Sequence, residues 1–251
     1  MSGVDISIAS LAAALVFAGA YLVGGRVGSS ERAERFWARR RYISAAAGIS
    51  VAYIFVDVLP ELELQRQVLV GASANAQLLF AEQRIYVLAL LSFVVTYGLE
   101  HMVLVSRDRR PGMAEEKPGG IFWLHVAGYA AYSGLIGYLV VERAERGALA
   151  LAVYAFAMAV HFLIVDHSLD EEHGRAYASR GRWLLAASVM VGWLIGVATP
   201  LSEVMVARLF AVLAGGVVLT SLRAELPDDR EGRFWPFCLA AVLFAIVLIL
   251  A

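Results

Sequence analysis

This 251-residue chain predicts an all-α bundle that crosses a membrane several times, and three observations carry that expectation. Hydrophobic residues make up 60% of it and charged residues only 17%, with a mean hydropathy of +0.70. A water-soluble domain carries charge on about a quarter of its residues, so the composition favours hydrocarbon over water as the solvent. The apolar residues also fall into runs near the ~20 residues that cross a bilayer. Eight such runs stand at roughly 6–25, 42–60, 84–105, 120–141, 147–169, 183–199, 202–222 and 234–251. Finally, the connections between them are short, which leaves no room for a soluble domain and makes residues 1–251 a single transmembrane unit.

Each run has its own reason. Span 1 has no Lys or Arg before it, so it lacks the charged start of a secretory signal and is expected to stay in the mature protein. Span 2 ends in GISVAYIFVDVLPELEL (48–64), where proline interrupts the helix and the acids are solvated. Span 3, through LSFVVTYGLEHMV (91–103), finishes at Glu100 and His101. Span 4 carries His125 near its start and a small face of Ala127, Ala130, Ala131 and Gly134, where another backbone can approach. Span 5 leads into AMAVHFLIVDHSLDEEHG (157–174), the most chemically loaded stretch of the chain, with His161, His167, His173, Asp166 and Asp170. Span 6 contains no acid between Arg182 and Pro200. Span 7 ends in GGVVLTSLRAELPDD (215–229), which repeats the Leu-Pro-acid ending of span 2. Span 8 holds Cys238, the one cysteine, which excludes an intramolecular disulfide and a thiolate cluster.

Orientation follows from the basic residues. Sixteen of the 21 Lys and Arg lie in the connections after spans 1, 3, 5 and 7, among them Arg39–Arg41. Positive charge stays on the cytoplasmic side, which places both termini outside and suits an even number of crossings. All five histidines then fall between mid-membrane and the cytoplasmic surface. Trp37, Trp123, Trp183 and Trp235 fall at the expected interfaces. The arginine run is expected to touch anionic lipid, with no nucleic-acid role.

An ionisable group inside a span is costly and usually faces a partner or a water-filled path. Asp166, Asp170 and His173 share one helical face, and carboxylate with imidazole there can bind a divalent metal, relay protons, or simply form a solvated helix end. His161 and Asp166 stand about 140° apart around an ideal helix, so a shared ion requires a distortion or two sites. Ser133 and Tyr129 on span 4 are expected to face them at similar depth. His125, His167, Asp170, Glu171 and His173 form a second, cytoplasmic-end group. Asp57, late in span 2, is read either as a cation entrance or as half of a structural pair.

The ordered set of VDVLPEL (56–62), LSFVVTYGLEHMV (91–103) and LAGGVVLTSLRAELPDD (213–229) resembles the ZIP family of divalent metal transporters. The resemblance implies eight spans in a three-plus-two-plus-three bundle, an inverted repeat relating spans 2 and 7, and a metal path through spans 4 and 5. Asp57 stands where the family often has histidine, Glu61 where it has a carboxylate, and Glu100 where its span 3 ends. The departures are in the metal ligands. Tyr129, Ala130 and Ser133 replace span 4 donors, while span 5 keeps His161 but has Phe162 and Val165 where ligands would stand.

The leading expectation is therefore a ZIP-like transporter or binder of a divalent cation, with metal contacts at His161, Asp166, His167 and His125. The path or entrance is expected at Asp57, Glu61, Tyr129, Ser133, Glu100, His101, Asp170 and His173. Its alternative is a non-transporting relative with a regulatory or structural role. A membrane zinc hydrolase ranks last, because only two donors can be named at one depth and such a site needs about three. Expected partners are the lipid bilayer and a divalent metal ion as cargo, with a homodimer allowed, and the one cofactor considered is a bound divalent metal, Zn, Mn or Fe.

Overall fold

The computed structural model describes residues 3–28, 40–72, 83–108, 119–199, 201–222 and 234–250, and every element among them is helical. The helices are α1 (Gly3–Gly28), α2 (Arg40–Tyr53), α3 (Leu59–Gly71), α4 (Arg84–Asp108), α5 (Gly120–Glu145), α6 (Ala148–Ala176), α7 (Arg182–Ala198), α8 (Glu203–Thr220) and α9 (Phe234–Leu250). The sequence segments 29–39, 109–118 and 223–233 lie outside the described residues. They hold Trp37, most of the basic connections and the Leu226-Pro227-Asp228 stop.

Six helical runs are long and apolar enough to cross a membrane: Asp5–Gly24, Ser44–Gly71, Arg84–Val105, Gly120–Glu145, Ala148–Ala198 and Glu203–Thr220. The count differs from the eight separate runs of the sequence for two reasons. Spans 5 and 6 are continuous in helical hydrogen bonding through a π turn at Tyr177–Gly181, and Phe234–Leu250 is only 17 residues long. Yet 148–198 is not one straight rod. Gly174 takes φ 51 and ψ −129, a conformation that glycine alone adopts easily. A straight helix would carry Arg182 about 24 Å past Asp166, whereas the two side chains meet at 2.8 Å. The chain therefore doubles back, and α6 and α7 both pack on α1 and α5.

A second π turn, Ile54–Val58, joins α2 to α3 without a break. Its cause is Pro60, which lacks an N–H and whose ring collides with the carbonyl four residues earlier, inside that turn. Ser221 and Leu222 after α8 are also in π conformation, and Ser221 precedes Pro227 by the same six residues that separate Ile54 from Pro60.

The helices pack in two groups. α1, α5, α6 and α7 pack chiefly on one another, and α2 with α3, α4, α8 and α9 do the same. Exchange α1 with α7, α2/α3 with α8, α4 with α9 and α5 with α6, and four observed pairings turn into four others. α5–α7 becomes α1–α6, α2–α9 becomes α4–α8, α2–α6 becomes α5–α8, and α4–α5 becomes α6–α9.

Small residues set the closest approach. A Cβ on Gly192 of α7 would lie 1.9 Å from the Gly134 carbonyl oxygen, and one on Gly137 of α5 would lie 2.1 Å from that of Val189. The small residues at 188, 192 and 196 recur every four positions, the spacing that lets two backbones touch in a membrane. Gly134 thus meets α7, while Ala127 and Ala131, expected to form one small face with it, are exposed. Aromatic rings fill the interior of the first group, with Phe17 edge-on to Phe162 at 5.5 Å and Tyr21 against Phe162 at 4.8 Å.

Candidate functional site

Polar side chains bridge the two helix groups at both ends of α5, about 27 Å apart along its axis. At the C-terminal end, Arg143 pairs with Asp57 in the π turn and lies 5.2 Å over the Tyr154 ring. Arg146 forms a two-pronged pair with Glu61, with Nη2 2.7 Å from Oε1, and also holds Glu142 at 2.9 Å. Gln65 donates to the same Glu61 oxygen at 2.6 Å. Hydrogen bonding to Glu61 holds the Arg146 guanidinium above its ordinary range. Asp57 and Glu61, expected at an entrance, therefore stand in ion pairs that tie α5 to α2 and α3.

At the N-terminal end of α5 lies a histidine–carboxylate centre. His125 is 1% exposed. Its Nε2 is 3.1 Å from Oε1 of Glu100 on α4, and Tyr129, one turn along α5, donates its hydroxyl to the same oxygen at 2.6 Å. On the other side of the ring, Nδ1 lies 2.8 Å from Nε2 of His173 and 3.7 Å from Oε2 of Glu172, both on the last turn of α6. One ligand atom each from His125, Glu172 and His173 fall within 4.8 Å of one another. Phe122 meets the His173 ring edge-on at 5.1 Å. Beside Glu100 a cavity of about 40 Å³ opens between the helix groups, lined by Thr96, Leu99 and Glu100 of α4, Gly128, Tyr129 and Tyr132 of α5, and Thr220. That is room for a few waters or one ion.

The other expected residues are placed elsewhere. Asp166 is buried and fully engaged. It accepts from Nε and Nη2 of Arg182 at 2.8 and 3.2 Å and from the Tyr177 hydroxyl at 2.8 Å, while a Cβ on Gly24 would press within 2.3 Å of its Oδ2. Its geometry is that of a pin closing the α6–α7 hairpin, with Asp170 a further neighbour of Arg182 at 3.4 Å. His161 is buried and meets the Tyr132 hydroxyl at 3.2 Å. The partners of His161 and Asp166 differ, as their angular separation on the helix implies. Ser133 pairs with the Tyr21 hydroxyl at 2.9 Å, closing α5 onto α1. His167 is partly exposed and faces Glu171 at 3.4 Å, one turn on, while His101 is exposed and stacks on Tyr97.

Compared with protein-family models, curated proteins and solved structures, the chain matches none.

Glu172, Tyr132, Tyr177 and the three arginines 143, 146 and 182 were not among the residues that sequence reasoning singled out. One signal was present for the hairpin. Asp166 and Arg182 are each eight residues from Gly174, the spacing expected of partners across an antiparallel turn. Depth alone groups His125 with His173, because they stand on neighbouring helices whose packing is not written in either segment.

Proposed function

We propose that this chain is a polytopic membrane protein of ZIP-like build that binds and moves a divalent cation by alternating access. In this reading spans 5 and 6 are the two arms of the Gly174 hairpin and α9 is the last crossing, which gives eight crossings. The basic connections place both termini outside the cytoplasm, in a cell membrane. The observation that carries the reading is the histidine–carboxylate centre beside a polar cavity between two helix groups. In transporters, a site at the boundary of two bundles opens alternately to either side as one bundle rocks against the other. The exchange of helix pairings and the matching π turns support an inverted repeat that relates span 2 to span 7. The Arg143–Asp57 and Arg146–Glu61 pairs at one end of α5, and the His125–Glu100 contact at the other, are then bridges that open in turn.

A second reading, a non-transporting relative, is favoured by a specific observation. The carboxylates Asp57, Glu61 and Asp166 are each neutralised by arginine, and of the residues in the family's span 4 ligand positions Ala130 offers no donor while Tyr129 and Ser133 are used in hydrogen bonds to Glu100 and Tyr21.

Proteoliposomes loaded with a fluorescent zinc or manganese indicator distinguish the two. Transport predicts a saturable, protein-dependent signal for at least one of these ions. Signal equal to empty liposomes for Zn, Mn and Fe, from protein shown to be folded, refutes transport and leaves the second reading.

A further inference from the structure

The two faces of the His125 ring are used differently, and that difference specifies a ligand. Both His125 Nε2 and the Tyr129 hydroxyl point at the same Glu100 oxygen. An ionised Glu100 only accepts, so the ring hydrogen is assigned to Nε2, which leaves the Nδ1 lone pair aimed away from Glu100. What it is aimed at is His173 Nε2 at 2.8 Å and Glu172 Oε2 at 3.7 Å. Histidines that bind metals show this arrangement, with the second ring nitrogen held by a carboxylate that orients the ring and raises its basicity.

The spacing also suits an ion. Donors bound tetrahedrally at 2.0–2.2 Å stand about 3.3 Å apart. The two separations from Nδ1, 2.8 and 3.7 Å, bracket that value, and all three ligand atoms lie within 4.8 Å of one another, so modest side-chain shifts bring them to the spacing an ion requires. Glu172 and His173 are held at the last turn of α6 by the reversal at Gly174, and His125 is buried on α5. The site is therefore built from two neighbouring helices that pack on each other and on α1.

We propose that His125 Nδ1, His173 Nε2 and a Glu172 carboxylate oxygen form a three-ligand site for a divalent transition metal of the zinc class, with Glu100 as the positioning residue. Two imidazoles and one carboxylate select Zn(II), Co(II) or Fe(II) over Mg(II) and Ca(II), which take oxygen donors, and over Cu(I), which takes sulfur. Three protein ligands leave one position open, as an exchangeable site requires. The site differs from the pairing of His161 with Asp166 and lies nearer one end of the bundle, beside the Glu100 cavity. This proposal deepens the transport reading and takes the purpose of the site from it, but metal binding is measured without transport.

The test uses the full chain, purified in detergent, stripped with chelator and titrated with Co²⁺, whose visible absorption intensifies in four-coordinate geometry. Wild type should take up one Co²⁺ per chain with that spectrum, Zn²⁺ should displace it, and excess Mg²⁺ or Ca²⁺ should not. Folded His125→Ala and His173→Ala should lose the spectrum. Glu100→Gln should keep its form and weaken affinity by about 10- to 100-fold, whereas His167→Ala should change nothing. X-ray absorption of Zn-loaded wild type gives a check independent of variant folding, with two imidazoles expected. Fewer than two imidazoles, an unchanged spectrum in folded His125→Ala and His173→Ala, or no four-coordinate Co²⁺ in wild type overturns the site. Binding with no uptake in proteoliposomes removes the transport reading and leaves the site standing. Uptake that persists in both binding-deficient variants removes the site from the path and leaves transport standing.

Discussion

Replacing Arg182 with methionine is the sharpest perturbation of the fold, because it strands a buried charge. Asp166 is 1% exposed and Arg182 8%, and the guanidinium supplies two of the three hydrogen bonds that the carboxylate receives. Removing one partner of a buried pair costs about 3–5 kcal/mol, because the remaining charge keeps its desolvation penalty and loses its compensation. Methionine keeps most of the side-chain length, so the loss isolates the charge rather than a cavity. Replacing both partners at once, as Asp166→Leu with Arg182→Met, leaves no buried charge and should recover most of that loss. The assay is a double-mutant cycle in detergent, with unfolding followed by intrinsic fluorescence, because the coupling term isolates the pair. Arg182→Met and Asp166→Leu should each be strongly destabilising and the double variant much less so than their sum. An Arg182→Met loss below about 1 kcal/mol, or additive effects, would refute the reasoning that the pair closes the hairpin.

Three further outcomes follow from the same geometry. At Gly192 an added Cβ must move from 1.9 Å to the 3.4 Å of ordinary contact against the Gly134 carbonyl, so Gly192→Ala forces α5 and α7 apart by 1.5 Å. It should cost about 1–3 kcal/mol, whereas Gly98→Ala, with nothing within 4 Å, should be neutral or stabilising by up to about 1 kcal/mol in the same thermal assay. Arg143→Met and Arg146→Gln should each cost more than about 1 kcal/mol in the same assay, since each deprives a carboxylate of its arginine, Asp57 at 22% exposed and Glu61 at 5%. Cysteines placed in 31–41 should be labelled only from the cytoplasmic side, and labelling by an impermeant reagent outside intact cells would reverse the orientation derived from the basic residues.

Much of the architecture was legible because hydrophobic run length is a direct consequence of bilayer thickness. The helical class and the six membrane-length runs follow from it. Pairing across helices was not legible. Asp166 reads as a buried ionisable group, which is correct, but its partner is decided by the reversal at Gly174, and a glycine in a polar stretch marks a helix end without giving the angle of return. Tyr129 and Ser133 read as lost ligands, whereas their hydroxyls meet Glu100 and Tyr21, contacts that depend on the rotation of α5 against α4 and α1. The histidines of the cytoplasmic-end group were grouped by depth alone. Depth brought His125 and His173 together on paper, but it had no means of separating them from His167, which faces its own helix.

The most direct measurement of the central claim is the metal content of the purified chain by plasma mass spectrometry, after loading with zinc, for wild type and the His125→Ala/His173→Ala variant, each with a chelated control. The account predicts about one zinc per wild-type chain, removed by chelator and lost in the folded variant. Equal zinc in the folded variant, or none in loaded wild type, contradicts it.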